Sequence, residues 1–375
     1  MEDRWRKADG TPSANDGRGN RWRARYVDEQ GREHAKGFAR KVDAQRWLDE
    51  VTAAVVTGQY VDPQAGRVTF REYAERWRTM QMQRPSSRAH IETMLRRHAY
   101  PTLGDRPLSS ILPSDIQAWI KGLELAPATI GVVHGIVSTI MKSAIRDRRI
   151  VANPCDGSKL PKVERKQVVP LTTEEVAALR EALPPQLQAL VTLAAGTGMR
   201  QGECLGLTVD RVRFLERAVI VDRQLVTIPG QSPTLGPPKT QASNRTIPLP
   251  QVVVDALAVH LSTFPAETDG LVFTLSGKPI TRPAFGHKWR PAVAQAGLSA
   301  GTGFHALRHY YASLLIRHGE SVKTVQARLG HASAVETLDT YSHLWPDSDD
   351  RTRDAVDSVL GVTADALRTA AAPPG

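Results

Sequence analysis

The chain lacks the covalent and apolar devices of secreted and membrane proteins. Its 375 residues include two cysteines, Cys155 and Cys204, too few for a disulfide framework, and both read as inert thiols in a reducing compartment. Long apolar runs are missing too. The longest apolar-rich stretches, Leu187 to Ala195 and Val252 to Leu261, fall well short of the roughly 18 to 20 residues that a bilayer span requires. The opening residues, MEDRWRKADG, hold no apolar signal-peptide region. Export and membrane insertion are therefore set aside, and a cytoplasmic protein is expected. No segment of solenoid length repeats along the chain, and only the terminal Ala370 to Gly375 is low in complexity. What the chain has in excess is positive charge, 49 Lys and Arg against 39 Asp and Glu for a net +10. Summed positive charge attracts phosphate backbones from beyond contact distance, so nucleic acid is the first candidate partner.

That surplus is unevenly placed. Length predicts about two or three domains, and linker-like stretches divide the chain at 1–66, 67–155, a basic linker 156–170, 171–350 and a tail 351–375. Residues 1–66 carry 12 basic and 11 acidic residues, residues 67–170 carry 18 and 9, and residues 171–375 carry 19 of each. The middle of the chain is the electrostatic part. Within the first piece Arg18 to Arg46 is locally basic, with 9 Lys and Arg against 4 Asp and Glu. There Trp22, Ala24 and Tyr26 alternate with Arg21, Arg23 and Arg25, and Gly31 marks a turn before Lys36, Phe38 and Arg40. The pattern predicts a short antiparallel sheet followed by a helix that Asp43 caps, with Ala44, Trp47, Leu48 and Val51 on one stripe. Arginines on the open face of such a sheet can lie along a DNA groove, or simply solvate it.

Residues 69–83, 87–99, 113–123 and 127–148 show helical spacing, with Thr69, Ser86 or Ser87, and Ser114 as N-cap types. These four helices carry the surplus and suit a grip on a phosphate backbone, Arg88, Arg96 and Lys142 being the expected contacts. Pro154, Pro161 and Pro170 break helix continuation and leave an extended strap carrying Lys162. In the third piece Thr172 or Thr173 caps a helix whose Glu174 and Glu175 fall in its positive first turn. The β-prone runs Ala218 to Thr227 and Arg245 to Leu249 predict a small sheet. The fold class expected is mainly α with small β-sheets, α+β, and a mixed C-terminal domain.

Four patches in that neutral third piece hold groups able to bind or attack a phosphate. In AAGTGMRQGECLGL, Arg200 follows Gly196 and Gly198, and Glu203 lies one helical turn on, able to orient the guanidinium or merely to form a structural pair with it. In PPKTQASNRTIPL, Lys239 precedes a strand, where a hairpin tip could project it into a cleft. In FHALRHYYASLLI, His305 and Arg308 can present an imidazole and a guanidinium to one phosphate. His305 and His309 have zinc-ligand spacing, but no further ligand completes a set, so no metal is expected and His309 reads as packing or support. Tyr310 and Tyr311 read as core. In LGHASAVETLDTYSHLWPD, Tyr341 lies among Thr340, Ser342 and His343, polar neighbours unlike those of a core aromatic. Together, arginines to neutralise nonbridging oxygens, a lysine acid, histidines to move protons and a phenolic nucleophile meet the needs of phosphodiester transesterification.

On GTGMRQGE, PKTQASNRTIPL, HALRH, LGHAS and TLDTYSHL, taken in this order and spacing, the chain resembles the tyrosine recombinases of the phage-integrase family. The likeness spans nearly the whole chain: residues 1–66 resemble an arm-binding module, and residues 67–155, ending IVANPC, a SAM-like core-binding domain. The resemblance implies that Arg200 and Arg308 clamp the scissile phosphate, Lys239 is the general acid, His305 and His331 assist proton transfer and hold the phosphate, and Tyr341 forms a 3′-phosphotyrosyl link. It implies integration and, with a partner, excision of a mobile element or phage genome, without cofactor. It further implies a homo-tetramer acting on core and arm sites of double-stranded DNA through a Holliday junction. A recombination directionality factor and a host architectural protein are implied as further partners. A type IB topoisomerase and a DNA-binding regulator without catalysis are the rival readings. The tail from 353 on, with Val356, Val359, Leu360 and Leu367 at helix-like spacing, could dock on a neighbouring protomer or pack on its own domain.

Overall fold

The computed structural model describes residues 1–27, 31–56, 65–164, 167–228, 230–267, 269–345, 353–354 and 356–360. The chain divides into two compact units, Met1–Glu164 and Arg165–Gly375. The first unit opens with an antiparallel sheet in the order β1 (Glu2–Asp3), β2 (Trp22–Val27), β3 (Glu33–Phe38), followed by α1 (Lys41–Val56). Gly31, between β2 and β3, has φ +78°, a conformation that costs a residue without Cβ little. Trp22 stands opposite Phe38 and Ala24 opposite Lys36, and Tyr26 and Phe38 both meet Trp47 of α1. One face of the sheet is therefore closed by the helix, and Arg23 and Arg25 alternate onto the other.

One expectation for this module, the Asp43 cap, needs correction, and two further features were not apparent in the sequence. Lys36 shares the face of Ala24 and not that of the arginines; its ammonium lies 5.4 Å from the Phe38 ring centre and 6.0 Å from that of Trp47, a favourable cation–π placement. The helix starts at Lys41, so Asp43 does not cap it but sits in its first turn, paired with Arg40 at 2.9 Å. Finally, β1 was not apparent in the sequence pattern. Its carboxylates engage the arginines, with Arg21 on Asp3 at 3.0 Å and Arg25 between Glu2 at 2.6 Å and Glu33 at 3.2 Å.

The rest of the first unit is helical. It comprises α2 (Phe70–Met80), α3 (Pro85–Met94), a π-turn over Leu95–Ala99, α4 (Tyr100–Leu103), α5 (Pro113–Lys121) and α6 (Pro127–Arg146). Thr69 caps α2 in a reciprocal box with Glu72, as its type predicts. The serines do not cap: α3 and α5 begin with proline at the first helical position, after Arg84 and Leu112, where the missing N–H has no partner to lose. The π-turn inserts into the expected 87–99 helix and brings both Leu95 and Ala99 into the core. That core gathers Phe70, Trp77, Trp119, Val133, Ile140 and Met141.

Contrary to the sequence expectation, α6 does have the length and composition to cross a membrane, its 20 residues including an 18-residue window of mean hydropathy 1.4. Its stripe of Ile130, Val133, Val137, Ile140, Met141 and Ala144 is instead buried in this unit. Arg88, Arg96, Lys142 and Lys162 are exposed.

The second unit begins with α7 (Thr173–Ala182), capped by Thr172 in a box with Glu175, then α8 (Pro185–Thr197) and α9 (Gln201–Leu205). Strands β4 (Val212–Arg213), β5 (Ala218–Val221), β6 (Gln224–Val226), β7 (Thr234–Gly236) and β8 (Arg245–Pro248) follow. They form two sheets, β4-β5-β8 and β6-β7. The expected single strand 218–227 is thus divided, at Asp222 and Arg223. The unit is completed by α10 (Gln251–Thr263), the hairpin β9 (Thr274–Leu275) and β10 (Lys278–Pro279), α11 (Arg282–Gln295), α12 (His305–Arg317), α13 (Val322–Leu329) and α14 (Ala334–Tyr341). Val356, Val359 and Leu360 of the tail are exposed, and Leu367 lies outside the described residues.

Helix α8 is apolar on almost every side because other helices surround it, with Leu187, Leu190, Val191, Leu193 and Ala194 all buried. It ends at Gly198, φ +65°, where an added Cβ would stand 2.5 Å from Tyr311 Cδ1 and 2.9 Å from Leu329 Cδ2. Left-handed strain and overpacking then act together. Gly198→Ala is expected to lower unfolding stability by about 2 to 4 kcal/mol, read as an earlier urea midpoint at unchanged slope. An unshifted midpoint would show that this contact relaxes freely.

Candidate active site

Helix α12 places the most unusual side chain of the molecule. Arg308 is 1% exposed, its Nη1 donates to the Gly198 carbonyl at 2.8 Å, and its buried Nε has no hydrogen-bond partner. Among the described residues no carboxylate lies within ion-pairing distance of it. Burial, and next the charge of Arg200, press its pKa down to about 10, which still leaves it cationic at neutral pH. An unpaired buried guanidinium is costly unless an anion completes it.

Arg200 caps α9 and is held by four contacts. Its backbone N–H donates to Glu203 Oε2 at 2.9 Å, Nη1 to Glu203 Oε1 at 3.0 Å and to Ser243 Oγ at 3.2 Å, and Nη2 to the Gly330 carbonyl at 3.1 Å. The orienting role expected of Glu203 is therefore visible in the geometry. The sequence reading missed Arg245, which shares that carboxylate at 2.8 Å and donates from Nε to the Arg328 carbonyl at 2.8 Å. Strand alternation could have found it, since Arg245 and the fully buried Ile247 share a face of β8. Burial alone would raise the Glu203 pKa. Hydrogen bonding and charge from Arg245, then the backbone and charge of Arg200, outweigh burial and hold the carboxyl below its ordinary range.

Tyr341 ends α14 and is 1% exposed, packed with Tyr311, Ala312, Ile316, Val325 and Leu329. Its polar sequence neighbours misled: Thr337 and Tyr341, four apart, face inward, while Thr340 does not. The Tyr341 hydroxyl lies 2.8 Å from His309 Nδ1. Its ring stands 6.5 Å from that of His331, nearly parallel at 10°. Burial raises the phenol to about 12, against an opposing pull from Arg308. His331 is buried, with Nδ1 2.8 Å from Thr337 Oγ1; burial, then the charges of Arg308 and Arg200, push its pKa down to about 3, so the ring is neutral.

His305 is exposed at the rim, its ring 4.9 Å from that of His309 and almost perpendicular. Although open to solvent on one side, it is dense enough in protein on the other that desolvation, then His309, Arg308 and Arg200, bring its pKa to about 4. Lys239 is the member the structure does not join to the rest. It lies beyond β7, not at the tip of the β6-β7 hairpin, and is exposed. Among the described residues no three or more His, Cys, Asp or Glu side chains are grouped to hold a metal ion.

Residues 162–347 match the phage integrase family, residues 16–57 the phage integrase N-terminal domain and residues 70–159 the phage integrase central domain. The chain is 25% identical over 332 residues to the integrase of Mycobacterium phage D29, covering 84% of this chain and 88% of that one. It is 31% identical over 247 residues to the tyrosine recombinase XerC-like protein of Caldanaerobacter subterraneus, covering 58% and 63%. Among solved structures, the Tn1549 transposon integrase in complex with circular intermediate DNA superposes with TM-score 0.64 at 25% identity, covering 76% of this chain and 98% of that chain. A lambda integrase tetramer bound to a Holliday junction superposes at 0.57 with 18% identity, covering 83% and 94%, which speaks for the fold alone. Matches to all three domain types, in order along one chain, establish that this protein belongs to the phage integrase family and is a tyrosine-type site-specific recombinase.

Proposed function

We propose that the chain integrates a mobile or phage element by attack of Tyr341 on a scissile phosphate, conserving the bond energy in a 3′-phosphotyrosyl ester for a second strand to claim. The observation that carries this reading is Arg308: a buried cation with a free donor, whose charge is felt by a buried phenol, is a place for a phosphate beside a nucleophile. Arg200, fixed on three sides, contributes the second guanidinium that neutralises charge on the nonbridging oxygens. His305 and His331, both neutral near pH 7, hydrogen-bond the phosphate and do not add charge to it. Lys239, exposed on the segment after β7, moves in with the DNA to protonate the departing 5′ oxygen. Residues 1–66 serve as the arm-binding module, residues 67–155 hold the core site, and residues 156–170 link them to the catalytic domain 171–350.

Arg21, Arg23, Arg25, Lys36, Arg40, Arg88, Arg96, Lys142 and Lys162 serve as DNA contacts. Arg21, Arg25 and Arg40 would exchange their present carboxylate partners for phosphates, and Lys36 would reach DNA from the helix-side face. Four protomers act on two duplexes in the cytoplasm, with a directionality factor biasing excision. A nicked duplex whose cleaved end diffuses away tests the chemistry. Incubated with the full chain, it should accumulate a covalent protein–DNA complex that survives denaturation, and the modified peptide should contain Tyr341. Absence of a complex, or attachment to another residue, would overturn the reading.

A further inference from the structure

We propose that His309 is the catalytic base that accepts the phenolic proton of Tyr341. The proposal rests on the recombinase reading and adds a residue to it. Of the three histidines around the phenol, His309 is the one with a ring nitrogen at hydrogen-bond distance, Nδ1 to Oη at 2.8 Å, the reach that direct proton transfer needs. His331 meets the Tyr341 ring face to face at 6.5 Å, and its Nδ1 is occupied by Thr337. His305 touches His309 edge-on at 4.9 Å and, among the described residues, makes no hydrogen bond to the phenol.

The placement follows from α12 itself. Arg308 and His309 are consecutive, so they diverge by about 100° around the helix. One side chain reaches the Gly198 carbonyl and the other reaches the Tyr341 hydroxyl, so the helix assigns the two side chains to different partners. Burial first, and the charge of Arg308 second, lower the pKa of the imidazole, which favours its neutral form. With the ring proton on Nε2, Nδ1 is free to accept. In the forward step the proton passes from Tyr341 Oη to His309 Nδ1, an Oη–P bond forms and the P–O5′ bond breaks. The leaving 5′ oxygen takes its proton from a separate donor, Lys239 in the present reading. In rejoining, a 5′ hydroxyl attacks phosphorus and gives its proton to the deprotonated lysine, the P–O5′ bond forms, and the imidazolium returns its proton to Oη as the phosphotyrosyl bond breaks, so the step is reversible without water.

A buried phenol also needs a hydrogen-bond partner for packing reasons alone, and the test must separate the two roles. Single-turnover cleavage of the nicked duplex is measured for the full chain, His309→Asn and His309→Ala, each with Tyr341 or with 3,5-difluorotyrosine incorporated at 341. Asparagine keeps a polar partner for the hydroxyl and cannot take its proton. His309→Asn should bind the core duplex as the parent does and form the covalent complex about 10²- to 10⁴-fold more slowly. The more acidic difluorophenol should recover at least tenfold of that loss in the Asn and Ala variants while changing the parent little. For His309→Ala, added imidazole should restore part of the rate. Cleavage by His309→Asn within a few-fold of the parent, or a fluorinated phenol equally active with and without His309, would overturn the proposal. Should His309→Asn lose DNA binding, the alanine variant with imidazole decides: no rescue there counts against it. If the parent itself forms no covalent complex, the recombinase reading fails and not the assignment of the base.

Discussion

Tyr341→Phe is expected to bind core duplex with the parent's affinity and to yield no covalent complex in a denaturing gel. The phenol is the only oxygen of that side chain, and it is packed within a core of Tyr311, Ile316, Val325 and Leu329 that phenylalanine fills equally well. Only the hydrogen bond to His309 is removed, a change of about 1 kcal/mol in stability. Binding and folding therefore survive while chemistry stops. The measurement is paired: a mobility shift for binding and a denaturing gel for the adduct. An adduct that persists in Tyr341→Phe would move the nucleophile to another residue and with it the whole geometry argued above.

Glu203→Ala is expected to cost about 3 to 5 kcal/mol, since it strands two arginines around an empty space. Glu203 is 2% exposed and is shared by Arg200 at 3.0 Å and Arg245 at 2.8 Å. Removing it leaves Arg245, itself nearly buried, with carbonyl acceptors but no counter-charge. Cleavage should fall beyond what lost stability explains, because Arg200 is then held by Ser243 and Gly330 without its carboxylate. The pH dependence has a definite sign. The folded carboxyl titrates below its ordinary value of 4.5, so its contribution is complete at neutral pH and is lost as pH falls through the depressed folded value. Urea titrations of the parent and Glu203→Gln should thus differ most near pH 7 and converge in acid. A loss below about 1 kcal/mol at pH 7 would mean that the two guanidiniums find other partners.

The sequence made most of the helices legible because their apolar spacing records burial directly: the stripe of α6 and the Thr69 box of α2 are local facts. It was misleading wherever a long-range partner decides. Asp3 takes up Arg21, just before β2, and Glu2 takes up Arg25 within it, from a strand too short to carry a pattern. Ser86, Ser87 and Ser114 are N-cap types by residue, whereas proline sets those starts by fixing φ before any side chain can compete. For the site, the motifs drew attention to Arg200, His305, Arg308, His331 and Tyr341. What they could not carry was that Tyr341 is a core residue, or that Arg245 and His309 touch the central groups. Those contacts depend on how β8, α12 and α14 meet.

The open donor of Arg308 has a consequence for the energetics of the whole catalytic unit. The unbound protein keeps a desolvated charge that no carboxylate among the described residues pairs with directly, so some folding free energy is released only when phosphate enters. Anything that binds the folded form alone raises its stability by mass action. Here the gain should exceed what a surface anion site confers, because the ligand also relieves a defect. Selection for a more stable resting protein would favour a carboxylate next to Arg308, and the same change would fill the place of the substrate. The midpoint of unfolding is in this sense held down by the reaction.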